Sequence, residues 1–145
     1  MKKNFIKLLK WLPVLLILII SFYLSSQPTI PQMPSFPLAD KIVHFICFGG
    51  LAFWVSFGCN LAGKSKKEII LPTIIVSLYG ILDEIHQSFT PGRSSTVSDW
   101  IADTLGAILG SFAFFLLIKV LKNRKNNKNP QEKWKSFFSV PTQIN

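Results

Sequence analysis

Asp83, Glu84, His86 and Gln87 fall within one run, ILDEIHQSFTPGR, at the end of an otherwise apolar stretch and just ahead of a Pro-Gly-Arg turn. Carboxylates, an imidazole and a carboxamide so close together can hold protons, accept charge-assisted hydrogen bonds or bind a cation. Two further places carry the same chemistry: Asp40, Lys41 and His44 in DKIVH, and Asp99 and Asp103 in SDWIAD. Asp40 with His44, Asp83 with Gln87, and Asp99 with Asp103 are all i, i+4 pairs, so on helices the members of each pair share a face.

The elements that must hold these residues are apolar blocks. Hydrophobic residues make up 49% of the 145 and charged residues only 16%. No charge occurs between Lys10 and Asp40 or between Lys41 and Lys64, and further blocks run over 69–82 and 100–118. A hydrocarbon core of about 30 Å needs about 20 apolar residues, so the blocks predict an all-α integral membrane bundle of four transmembrane helices. The first is expected over about 7–24, with Pro13 near its start, the second to about Leu61, the third over about 67–89 and the fourth to about Leu121. Asp40 stands where an N-cap of the second helix is expected, and Ser98 or Asp99 where the fourth is capped. Gly49, Gly50 and Gly58, and the stripe Ala102, Gly106 and Gly110, suit close helix packing. Residues 1–121 then form the membrane domain and 122–145 a basic, mobile cytoplasmic tail. A loop with Pro28, Pro31, Pro34 and Pro37 joins the first two helices.

The net charge of +9 is unevenly placed. Lys2 to Lys10, Lys64 to Lys67 and Lys119 to Lys135 flank one set of block ends, whereas Lys41 and Arg93 are the basic residues at the other. That asymmetry predicts cytoplasmic N and C termini and makes lipid head groups, with no nucleic acid, the expected partners of the basic excess. The basic, apolar N-terminus has no small-residue cleavage site after it, so an uncleaved first helix is expected. Cys47 and Cys59 have no ligand spacing beside them and are expected to be inert buried thiols. There is no HExxH, paired-Cys or Ser-His-Asp signature, so no metal, cofactor or recognised catalytic set is expected.

Helical rise gives the depth of the polar residues. Asp83 falls about 22 Å beyond Glu68, Asp103 about 24 Å and Asp99 about 30 Å from Lys119, and His44 about 30 Å from Lys64. Three helices therefore bring Asp40, Lys41, His44, Asp83, Glu84, Gln87, Arg93, Asp99 and Asp103 to one outer layer. Acids at the centre of a membrane helix cost about 2.5–3.5 kcal/mol and less near the interface. Five acids against Lys41 and Arg93 leave at least one that must hold a proton, bind a cation or face water. The plain alternatives are that Glu84 and His86 face head groups, that His44 is a satisfied interfacial histidine, and that the whole set is a polar lock between helices.

DKIVHFICFGGLAF, DEIHQSFTPGRSSTVSD and DTLGAILG together resemble the VanZ-like membrane proteins, over about 39–110. The family pattern of Asp-Lys-x-x-His-Phe, Asp-Glu-x-x-Gln-x-Phe, Pro-Gly-Arg and an Asp before a Gly-rich helix falls on Asp40, Lys41, His44 and Phe45, then Asp83, Glu84, Gln87 and Phe89, then Pro91, Gly92 and Arg93, then Asp99, Gly106 and Gly110. Asp103 departs from it, since Asn is usual there. The resemblance implies a multi-pass protein of the bacterial cell membrane linked to resistance to glycopeptides, teicoplanin above all, and supplies no reaction. On this reading an outward-facing polar pocket acts on or shields a cell-wall precursor or lipid head group. The other classes are a membrane-embedded enzyme acting on a lipid-linked head group, and a proton or cation pathway through Asp83 and Asp103.

Overall fold

A computed structural model describes residues 8–28, 36 and 38–127. Its elements are α1 (Leu12–Ser25), α2 (Ala39–Gly58), a 3-10 turn (Lys66–Ile69), α3 (Ile70–Ser88) and α4 (Val97–Asn127), with no strand among the described residues. The expected four-helix membrane bundle forms: α2, the stretch Lys66–Ser88 and α4 are long and apolar enough to cross a membrane, and α1 is a shorter apolar helix. Isoleucine and leucine side chains such as Leu15, Ile19, Ile46, Ile74, Leu78, Leu105 and Leu109 stand exposed. An aqueous surface would not tolerate so much apolar area; a lipid one requires it.

Several boundaries shift for local reasons. Pro13 lies in the first turn of α1, where its missing N–H costs nothing, and the helix proper starts at Leu12. Leu38, at φ 69°, and not Asp40, occupies the N-cap of α2; Asp40 sits in the first turn, where its charge favours the helix dipole. Thr96 caps α4 in place of Ser98 or Asp99: its Oγ1 accepts from the backbone N–H of Asp99 at 3.3 Å and donates to Asp99 Oδ2 at 2.6 Å. α2 stops at Gly58 because Asn60 and Gly63 turn the chain with positive φ, and α4 continues past Leu121 to Asn127. The remainder of the predicted tail and most of the Pro-rich loop lie outside the described residues.

A small core of Val14, Phe48, Leu51, Ala52, Val55, Val76 and Ala107 joins the four helices. The closest approach is between α2 and α4. A methyl group added at Gly106 or Gly110 would overlap the carbonyl oxygens of Phe45 and Gly49, and one at Gly49 would lie 3.1 Å from the Gly106 carbonyl oxygen. Backbone meets backbone along this seam, as small residues permit in membranes. Gly58 admits the ring of Trp11, the residue that precedes α1, whereas Gly50 faces open space. The thiols of Cys47 and Cys59 are free and half-buried rather than buried.

The two ends of the bundle differ. At one, Glu68 accepts from the N–H groups of Ala62 at 2.7 Å, Gly63 at 2.8 Å and Lys64 at 3.2 Å, tying the α2–α3 loop. Lys10 and Lys122 reach the Asn60 side chain and the Ala62 carbonyl there. The other end gathers the C-termini of α1 and α3 and the N-termini of α2 and α4, and carries the acids. Gly110→Val is expected to lower the thermal stability of the detergent-solubilised protein by more than the about 1–3 kcal/mol of an ordinary overpacked core. Gly50→Ala is expected to be neutral or slightly stabilising; equal unfolding temperatures for the two variants would contradict the seam.

Candidate functional site

The turn after α3 explains how Arg93 returns to the bundle. Pro91 presets φ and Gly92, at φ 83°, supplies the left-handed residue, so the Arg93 N–H reaches the Thr90 carbonyl at 3.1 Å in a type II turn. Arg93 then lies over the end of α3, where Nη2 donates to Gln87 Oε1 at 3.1 Å. The other end of the same carboxamide donates to Asp83 Oδ2 at 2.8 Å and, more weakly, to Ser25 Oγ at 3.4 Å. Gln87 thus holds an acid and a base apart, satisfying one with each half of its side chain. Arg93 thus reaches the acids of α3 through an intervening amide and not by a direct ion pair.

On the α2–α4 seam the partners are direct. Lys41 Nζ lies 2.8 Å from Asp99 Oδ1, with the lysine 32% exposed and the aspartate 1%. One turn deeper, His44 Nδ1 lies 2.9 Å from Asp103 Oδ1, both side chains being buried. Lys41 is therefore engaged within the protein and is not free for a ligand. Glu84, instead of facing head groups, is buried against the loop into α4, where its Oε2 accepts from Ser95 Oγ and from the Thr96 N–H, each at 2.9 Å. His86 takes the peripheral role: its ring stacks on Phe22 at 4.5 Å and its Nε2 meets Ser26 Oγ at 2.9 Å.

The nine predicted residues thus share one end of the bundle; Gln87 bridges Asp83 and Arg93, and the other eight divide into two neighbouring groups. Asp40, His44, Asp83 and Arg93 line a cleft between α1, α2 and α3, together with Ser21 and Ser25. Its volume is about 30 Å³, the room of a water molecule or a single small polar group. Lys41, Asp99, Asp103 and Glu84 lie along α4, with His44 common to both groups. Two buried oxygens, Glu84 Oε1 and Asp103 Oδ2, have no hydrogen-bond partner among the described residues. Gly80 makes room for the second, since a Cβ there would come within 3.0 Å of Asp103 Oδ2. His44, Glu84 and Asp103 each place one donor atom within 4.8 Å of the others.

Ser25, Ser95 and Thr96 belong to this network and were not among the predicted residues. The Thr96 cap had a signal in the sequence, since Thr-Val-Ser-Asp places an acid three residues after a threonine at a helix start. Ser25 had none. Replacing Lys41 by Met strands the buried Asp99 carboxylate; the expected loss is below the about 3–5 kcal/mol of a fully buried pair, because the ammonium is partly solvated. Adding Asp99→Asn is expected to recover part of that loss, so purely additive changes in thermal unfolding would argue against coupling.

Comparison with known proteins adds one finding. Neither curated proteins nor solved structures give a match. A family model described as VanZ/LLP1 matches residues 3–119, which span all four helices up to the basic end of α4. The chain belongs to the VanZ/LLP1 family.

Proposed function

We propose that the acid-rich end of the bundle faces outward from a bacterial cell membrane and engages an anionic group of a cell-envelope component, lessening the effect of lipid-anchored glycopeptides such as teicoplanin. The observation that carries this reading is the state of Arg93. Among the described residues its guanidinium joins no ion pair, and its one hydrogen bond goes to the neutral carboxamide of Gln87. Five N–H donors in a planar fork suit phosphate or carboxylate. Arg93 lines the cleft and is only partly buried, so it is open to a group arriving at the membrane surface.

The small cleft limits what enters. A phosphate oxygen or one carboxylate oxygen fits beside Arg93, and the rest of a cell-wall precursor or lipid head group remains outside, against the surface. Asp83 and Asp40 line the same cleft and disfavour a second negative charge, which selects for a singly presented anion over a polyanion. The basic end then lies toward the cytoplasm, in keeping with the charge asymmetry of the loops.

The experiment is glycopeptide susceptibility of a sensitive Gram-positive host expressing wild type, Arg93→Ala or Asp83→Asn at matched membrane abundance. Wild type is expected to raise the inhibitory concentration of teicoplanin more than that of vancomycin. Arg93→Ala is expected to return it to that of the empty vector, and Asp83→Asn to reduce the protection. Full protection by an abundant Arg93→Ala protein would remove the role given to the guanidinium, and absence of protection by wild type would remove the glycopeptide link.

A further inference from the structure

The acids at the polar end do not cancel completely. Asp99 is paired with Lys41 at 2.8 Å. Asp83 is tied through Gln87 to Arg93. Asp40 is half-exposed at the cleft, where water screens it. That leaves Glu84 and Asp103, which are 7% and 0% exposed, with His44 beside them at 6%. Each of these carboxylates has one oxygen satisfied and one bare: Glu84 Oε1 and Asp103 Oδ2 find no donor among the described residues. A buried charged oxygen without a partner is costly, and two of them in one place are costlier.

The same three side chains bring together donor atoms from three helices, all within 4.8 Å of one another. Bonds of about 2.1 Å from nitrogen or carboxylate oxygen place neighbouring ligands about 3.0–3.4 Å apart around one ion, and opposite ones about 4.2 Å. The 2.9 Å hydrogen bond between His44 Nδ1 and Asp103 Oδ1 holds these two side chains together and leaves Asp103 Oδ2 without a partner among the described residues. Small side-chain movements would draw Glu84 in. A divalent ion with two carboxylates and a neutral imidazole is a charge-neutral set, the remaining need of this end of the bundle. One nitrogen and two carboxylates suit zinc, manganese or ferrous iron better than thiolate-seeking metals.

We propose that His44, Glu84 and Asp103 form a binding site for a divalent first-row transition-metal ion, held between α2, α3 and α4. The fold supports each ligand separately. Ser95 and the Thr96 N–H fix Glu84 through Oε2 and leave Oε1 free. Gly80 clears the space in front of Asp103 Oδ2. His44 also lines the small cleft, so water has access to the ion's remaining coordination positions. The set has no sequence signature because its members come one from each helix; HExxH and paired-cysteine patterns place ligands on one element or loop. The site stands independently of the envelope-lipid reading, since metal retention is measured without any lipid ligand.

The test uses the full chain purified in detergent, stripped with chelator, loaded with Zn²⁺ and passed over a desalting column before elemental analysis. About one Zn²⁺ per chain is expected for wild type and for His86→Gln, which removes a histidine outside the set. Asp103→Asn, Glu84→Gln and His44→Gln are each expected to weaken Zn²⁺ binding by at least about tenfold, with helical circular dichroism retained. Wild type that holds no Zn²⁺ overturns the proposal and leaves protons as the means of neutralising Glu84 and Asp103. Zn²⁺ retained equally by all three variants also overturns it, as adventitious binding elsewhere. Should the variants fail to fold, Co²⁺ added to wild type decides the matter. Visible absorption bands of a nitrogen- and oxygen-ligated ion, displaced by Zn²⁺, support the site; the spectrum of aqueous Co²⁺ alone refutes it.

Discussion

The polar end depends on the backbone contact between α2 and α4. Helices in lipid gain little from hiding apolar side chains from one another, since the surrounding acyl chains are as apolar as leucine. Close approach of the backbones supplies packing instead, and Gly49, Gly106 and Gly110 permit it. Because the two helices run parallel, their register continues upward from this contact. Gly49 meets Gly110 and Phe45 meets Gly106; one turn on, His44 meets Asp103, and beyond that Lys41 meets Asp99. A wider separation would leave Asp99 and Asp103 buried without these partners. The small residues and the ion pairs are two parts of one seam, the first fixing a distance that the second requires.

Parallel α2 and α4 also set the electrostatics of that end. Their N-termini carry partial positive charge, and Asp40 and Asp99 stand in the first turns, where that field favours a carboxylate. The C-termini of α1 and α3 arrive at the same level and bring the opposite field, together with Ser25, Ser26, His86 and Gln87. Hydroxyl and amide groups there accept and donate without adding net charge. Across the α3–α4 contact the pattern is gentler: Ser77 with Thr104 at 2.8 Å, Thr73 with Ser111 at 3.3 Å, and Trp100 Nε1 donating to the Ser77 carbonyl at 3.2 Å. Neutral pairs serve along the shaft of the bundle, and charge is kept to its two ends, where its desolvation costs least.

The sequence carried the helices and the location of the site because both depend on local patterns. Uncharged blocks of membrane-spanning length give the helices, and Pro91-Gly92 gives a turn whose type fixes the direction of Arg93. The i, i+4 spacing of Asp83 and Gln87 likewise becomes a hydrogen bond on one helix face. Partner choice was not legible, since it depends on how helices are rotated against one another. Nothing in the spacing tells that Lys41 goes to Asp99, that Arg93 stops at Gln87, or that Glu84 turns inward to meet Ser95 and Thr96. Asp40 illustrates the limit of capping rules: a short polar residue before an apolar run fits an N-cap, yet the positive φ of Leu38 starts the helix earlier and moves Asp40 into the first turn.

The size of the cleft beside Arg93, set against its charge, narrows what that cleft can enclose. A site built to enclose a sugar or a peptide stem needs several hundred cubic ångströms, far beyond the about 30 Å³ here. On the proposed function, contact inside this cleft would be limited to one small group beside Arg93, with the body of the ligand held by the membrane in which it is anchored. Confinement to the membrane plane raises local concentration, so a single charge-assisted contact can suffice where a soluble receptor would need many. The exposed apolar flanks of the helices would, on that proposal, keep the protein at the same depth as a membrane-anchored ligand. On the same proposal a lipid-linked anion would be favoured over the same anion free in water, because the bilayer would bring both partners to the cleft before any hydrogen bond is made.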